Sequence, residues 1–160
     1  MYHRCLPGGG SWPHWGPRKL QIARGRCAGA VTLLVTPAYT SMARHVLGAD
    51  SALVVDQMCV LDTGAARGRE TARGLLRFLS GVGGYIANLE RMGFSDTDIS
   101  EVSDRLVDDL VAWGDDDAIV ARVTEHLDTG ADQVVLGVLN EGSQPGPIQV
   151  ARQLAHRLLS

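Results

Sequence analysis

The sequence predicts an α/β fold built on parallel strands. Three observations carry that reading. Residues 30–35 (Ala-Val-Thr-Leu-Leu-Val) and residues 134–139 are short, continuous β-favouring runs, the pattern of strands covered on both faces. Ala52–Leu61 is a third, longer run, interrupted by Asp56-Gln57. Segments of helical spacing lie between and around the runs. The order helix, strand, helix, strand, several helices, strand, helix is the alternation that gives parallel strands with right-handed crossovers.

Each element follows from local signals. Pro17 suits the first position of a helix, Leu20, Ile22, Ala23 and Cys27 give it an apolar side, and Gly29 stops it. Thr36-Pro37 ends the first strand. A helix with Met42, Ala43, Val46 and Leu47 inward then runs to Gly48. Asp62-Thr63-Gly64 turns into a long helix over residues 65–80, whose stripe Ala72, Leu75, Leu76, Leu79 opposes Arg69, Glu70, Arg73 and Arg77. Gly81, Gly83 and Gly84 break it. A short helix over residues 85–92 closes at Gly93. Ser103 caps the next helix, with Leu106, Val107, Leu110 and Val111 on one face, and Gly114 ends it. Asp115 caps another, with Asp116 and Asp117 at the positive end of its dipole. Ile119, Val123 and Leu127 are expected to line its buried side, with His126 at the surface or boundary. Residues 141–147 read as a loop, and residues 148–159 as a closing amphipathic helix.

The chain has 160 residues and a formal net charge of −3, and 45% of its residues are hydrophobic, which suits one globular domain and argues against disorder throughout. That domain is expected over residues 16–160, behind an irregular Gly-, Pro- and Trp-rich segment over residues 1–15. No run reaches the roughly 18 apolar residues of a membrane span. The near balance of charge disfavours nucleic-acid binding. The charge is nonetheless uneven. Residues 1–49 carry no acid, a distribution that favours a phosphate-bearing ligand or simply marks solvated helix faces. Cys5, Cys27 and Cys59 form no metal-knuckle or disulfide pattern, so inert thiols in a reducing cytoplasm are expected. No apolar secretory leader is evident at the N-terminus.

Motif chemistry is sparse. There is no HExxH, no Walker A motif, no GxSxG and no His pair at i, i+4. Gly81-Val82-Gly83-Gly84 follows a helix rather than a strand, so it reads as a helix break, not a dinucleotide loop. Asp115, Asp116 and Asp117 point in different directions and read as capping residues, with no metal site expected. Trp113 reads as core or as a helix-end anchor.

Several stretches in the same order resemble one family. Leu33-Leu-Val-Thr-Pro-Ala-Tyr-Thr40, then Ala43-Arg44 and Leu47-Gly48, are similar to the strand-turn-helix of the luciferase-like monooxygenases and oxidoreductases that use flavin or deazaflavin. The subgroup using the deazaflavin coenzyme F-420 is the nearest. Tyr85, Asn88-Leu89, Arg91 and Gly93-Phe94 resemble its helical insertion. Ser103–Asp108, Leu110–Asp115, Ala118-Ile119 and Gly130–Asp132 continue the likeness, and this block is its most specific part.

The resemblance implies a (β/α)₈ TIM barrel of which this chain carries the C-terminal half, with about three parallel strands and a helical insertion. The first half has no counterpart here, so a truncated chain is expected. In such barrels active sites lie at the C-terminal ends of strands, and phosphate sites use late loops and helix N-termini. That places the cofactor-binding candidates at Gly16, Arg18, Thr36 and Thr40; Thr36 and Thr40 are equally suited to capping a helix. The family's catalytic residues lie in the missing half, so none is carried over. The implied activity is hydride transfer between coenzyme F-420, or alternatively FMN, and a small-molecule substrate. The rival expectation is a non-catalytic half-barrel that self-associates as a homo-oligomer or pairs with a partner chain, because an open sheet leaves edges and an apolar face uncovered.

Overall fold

The computed structural model describes residues 16–158; the irregular segment expected over residues 1–15 lies outside the described residues. The elements run α1 (Pro17–Ala23), β1 (Gly29–Leu33), α2 (Pro37–Leu47), β2 (Ala52–Leu61), α3 (Ala65–Ser80), α4 (Gly83–Arg91), α5 (Asp96–Glu101), α6 (Asp104–Leu110), β3 (Ala112–Gly114), α7 (Asp116–Asp128), β4 (Gln133–Val138) and α8 (Pro147–Leu158). All strand pairings are parallel. The α/β class, the three expected strands and the helical insertion are therefore as the sequence predicts.

Four local features go beyond the expectation. Strand β1 stops at Leu33 because Leu34 takes φ 51°, a left-handed conformation that turns the chain. Asp56-Gln57 does not interrupt β2, which is continuous over ten residues. Helix α5 is added, begun by a capping box in which Ser95 and Asp98 each bond the other's backbone N–H. Trp113, read from sequence as core or a helix-end anchor, is the middle of the three-residue strand β3.

Strand β2 is the hub. Its residues 52–56 pair with β1, 54–59 with β4 and 59–61 with β3. In a parallel ladder successive residues bond to opposite sides. Leu53 and Cys59 accept from Asp132 and Leu139 on the β4 side, while Ala52 donates to Ala28 on the β1 side. Thus β1 and β3 share one edge of β2, end to end, and β4 occupies the other. Because β3 is so short, it fits beside the top of β2 beyond the end of β1. The strand neighbours are therefore not in consecutive chain order.

The two faces of β2 differ. Leu53, Val55, Gln57 and Cys59 point to one face and are each no more than 1% exposed. Helices α1 and α2 cover part of this face through Leu20, Ala23, Tyr39, Ala43 and Leu47, and α7 and α8 cover the rest through Ile119, Val150 and Leu154. Burying such side chains stabilises the fold by about 1.5–3 kcal/mol each. Val54, Asp56 and Met58 point to the other face and are only half-buried. On that face the α3–α6 insertion packs over the C-terminal ends of the strands, where Leu33, Met58, Val60 and Trp113 meet Leu76, Tyr85, Leu89 and Leu106. The N-terminal half stays open, with Val31 49% and Val135 43% exposed.

Two charged braces fix this arrangement. Arg69 bonds Asp108 through two nitrogens at 2.9 and 2.8 Å and lies 4.9 Å over the Trp113 ring, while Trp113 Nε1 donates to the same carboxylate at 2.7 Å. This joins α3, α6 and β3. At the N-terminal ends of the strands Arg44 donates to the carbonyls of Gly130, Gly48 and Ser51 and to Asp132, which also accepts from Leu53 N at 2.7 Å. Arg44, part of the acid-free basic half, is thus structural.

Candidate functional site

At the C-terminal end of β1 the chain turns into α2, and the sequence of that turn fixes its geometry. Thr36 is extended, its hydroxyl oxygen accepts from Tyr39 N at 3.2 Å, and Pro37 occupies the first helical position. Gly16 stands at the start of α1 without a side-chain cap. The guanidinium of Arg91, from the end of α4, lies against Gly16: a Cβ added there would come within 3.4 Å of Nη1. The Arg91 charge also acts on Tyr39, whose phenol is raised by burial and partly lowered again by Arg91. Neither α1 nor α2 has an acid in its first turn. The Arg91 guanidinium thus lies beside the start of α1 and acts on Tyr39 in the first turn of α2, and with no acid in either first turn the arrangement favours an anion. The expected cofactor residues Gly16 and Thr36 belong to this corner, and Arg18 lies exposed in the first turn of α1. Sequence reasoning missed Arg91 as a site residue: it follows Glu90, outside the acid-free residues 1–49, and reaches this corner only by tertiary packing.

Thr40 does not face the corner. It is fully buried, and its hydroxyl lies 2.8 Å from His126 Nδ1. The other ring nitrogen of His126 lies 2.8 Å from Gln57 Oε1. Gln57 Nε2 donates to the carbonyls of Met58 and Leu110, so Gln57 Oε1 is left to accept. His126 must then carry its proton on Nε2, and Nδ1 accepts from Thr40. The His126 ring is 0% exposed, and burial together with Arg122 pushes its pKa down to about 4. This corrects two expectations: His126 is core rather than surface, and Leu127, expected inside, is exposed. The buried side of α7 follows Ile119, Val123 and His126, an i, i+4, i+7 path.

A separate cleft of about 540 Å³ opens at the C-terminal ends of β2 and β3, between α7 and α8. Its lining is acidic on balance, and its charged groups are engaged within the protein. The Asp62 side chain accepts from Arg67, from Gln144 and from Gly64 N, and these bonds hold its carboxyl far below the usual carboxylate range. Asp115 caps α7 through Ala118 N at 3.0 Å, as expected, while Asp116 bonds Gln153 and Asp117 pairs with Arg157 on α8. Asp115–Asp117 crowd the α7 N-terminus and make it unsuited to an anion. Elsewhere, burial pushes the Cys59 thiol up to about 12. Cys27 is disulfide-bonded, against the expectation of an inert thiol. No helix among the described residues is long and apolar enough to cross a membrane.

No protein-family model matches the chain, and no curated protein matches it in sequence. Two solved structures share its fold. One is a coenzyme F-420-dependent tetrahydromethanopterin reductase from Methanopyrus kandleri, with 18% identity, 86% of this chain and 47% of that chain covered, and a TM-score of 0.55. The other is an F-420-dependent secondary alcohol dehydrogenase in complex with an F-420–acetone adduct, with 10% identity, 89% and 46% coverage, and a TM-score of 0.59. At these identities the likeness is one of fold. The chain spans about half the length of each protein it matches.

Proposed function

We propose that this chain is the cofactor-phosphate-holding half of a luciferase-like oxidoreductase. The cofactor is coenzyme F-420, with FMN the alternative, and the reaction is hydride transfer to or from a small organic substrate. The observation that carries the reading is the corner where Arg91 lies against Gly16 and acts on Tyr39 in the first turn of α2. The Ala38 backbone N–H at the start of α2, the Thr36 hydroxyl and the Arg91 and Arg18 guanidiniums are the groups that would hold a phosphate there. Thr40 supports the turn from behind through His126 rather than touching the ligand. The bound deazaflavin or flavin would supply the hydride chemistry, and the protein contributes binding and orientation. Fold likeness to two F-420-dependent enzymes favours a deazaflavin over FMN.

The test is a fluorescence titration of the full chain with F-420 and with FMN, repeated with Arg91→Ala. Losing one charge-assisted contact should weaken binding about tenfold. Because Arg91 is exposed, stability should stay within about 0.5 kcal/mol. Cofactor binding that is absent, or unchanged in Arg91→Ala, would overturn the assignment.

The exposed Val31 and Val135 favour a second reading, a non-catalytic half-barrel that covers its open face by pairing with itself or with a partner chain. Light scattering separates the two. A cofactor-free dimer supports the second reading, and a monomer that binds cofactor supports the first.

A further inference from the structure

The chain leaves β1 out of phase with the strand. Side chains along a strand alternate between its two faces. Ala30 and Thr32 are buried, with Ala30 in the cluster under α1 and α2, while Val31 is exposed on the open face and Leu33 meets the roof made by the α3–α6 insertion. Unbroken alternation would send Leu34 to the covered face. Instead Leu34, 3% exposed, lies in the roof cluster with Val60, Leu76, Tyr85 and Leu89, and Val35 joins Tyr39 and Ala43 in the cluster beneath. The cause is the φ of 51° at Leu34, a left-handed conformation that an L side chain adopts only at a cost. It shifts the phase by one residue, as a bulge does. Without the shift Thr36 would follow Ala30 and Thr32 to the covered face. With it Thr36 is half-buried at the corner, where its hydroxyl oxygen accepts from Tyr39 N at 3.2 Å. Such strain persists where packing over-determines it, and it concentrates at turns that hold ligands. The roof supplies both parts of the corner: α4 ends in Arg91, and its Tyr85 and Leu89 share the cluster that holds Leu34.

We infer that Leu34 is a positioning residue for the anion corner: its left-handed turn shifts the chain's phase so that Thr36 and the start of α2 face the corner rather than the covered sheet. The inference rests on the phosphate reading of that corner. It adds that anion affinity depends on the backbone conformation of a buried leucine.

Two variants separate conformation from packing. Leu34→Ile keeps the apolar volume but is β-branched, and such residues resist positive φ. Leu34→Gly discards the side chain but enters the left-handed region freely. Two readouts are taken on the full chain: amide hydrogen exchange at Tyr39, whose N–H is held by Thr36, and F-420 affinity by fluorescence titration. Positioning predicts that Leu34→Ile speeds Tyr39 exchange and weakens F-420 binding, each about tenfold, the factor implied by the left-handed penalty of an L-residue. Leu34→Gly should keep both near wild-type values although its Tm falls further. A packing role predicts the reverse order. Wild-type values for Leu34→Ile, or equal losses in the two variants, would overturn the inference. Leu34→Ile decides alone should Leu34→Gly fail to fold. If the wild-type chain does not bind F-420, the phosphate reading falls, and Tyr39 exchange still decides whether Leu34 sets the turn.

Discussion

Gln57 and Asp56 are consecutive residues of β2 whose side chains leave the sheet on opposite faces. On the Gln57 side the amide, the His126 ring and the Thr40 hydroxyl form a closed chain of hydrogen bonds that ends on backbone carbonyls. On the Asp56 side a carboxylate lacks a donor among the described residues, and valines lie half in solvent. A polar network that is complete within the protein specifies packing. One that stops short leaves the remaining partners to solvent or to a covering chain. The same strand thus holds the fold with one face and leaves the other open.

The sharpest way to break this contrast is to cut the closed side. His126→Ala leaves a cavity and strands Gln57 Oε1, and it should cost about 3–4 kcal/mol in urea unfolding. A loss under about 1 kcal/mol would mean the network is not holding the covered face.

Acid should act on the same residue. The folded state keeps His126 neutral down to a pKa of about 4, whereas the unfolded chain takes up the proton near 6.5. The associated stability is fully present above 6.5 and is lost as pH falls to about 4, a decline of about 3 kcal/mol. A His126 NMR signal titrating near its ordinary value would contradict this.

Thr36→Ala removes the α2 cap and should cost about 1 kcal/mol in the same unfolding assay. The smallest effect is expected on the open side. Asp56→Val places a strand-favouring residue where a carboxylate has no partner, and stability should hold or rise by up to about 1 kcal/mol. A clear loss would show that Asp56 is part of the scaffold and would erase the contrast.

Much of the fold was legible because its signals are local. The β-branched runs in β1, β2 and β4, Pro17 and Pro37 at helix starts, and the caps Ser103 and Asp115 each act within a few residues. Strand β3 was not legible: three residues carry no periodicity, and its identity comes from pairing with Cys59, Val60 and Leu61. The Ser95–Asp98 box was a local signal for α5 that went unread. The polar pair in β2 looked like an interruption because alternation hides a residue's partner, and Gln57 is explained only by a histidine 69 positions away. The candidate site was half legible. Thr36 and Gly16 sit at a helix start and a turn, but Arg91 arrives from the insertion by tertiary packing.

The placement of β4 against β2 has a consequence for synthesis. The β2 edge that bonds Asp132 and Leu139 has no mate until β4 has left the ribosome. Until then Leu53, Val55 and Cys59 belong to a strand with one side unzipped, which is the species most exposed to misassociation. Vectorial folding can prepare the α1–β1–α2 portion early, but it closes this edge of β2 only after the helical insertion, β3 and α7 have been made and β4 has followed them.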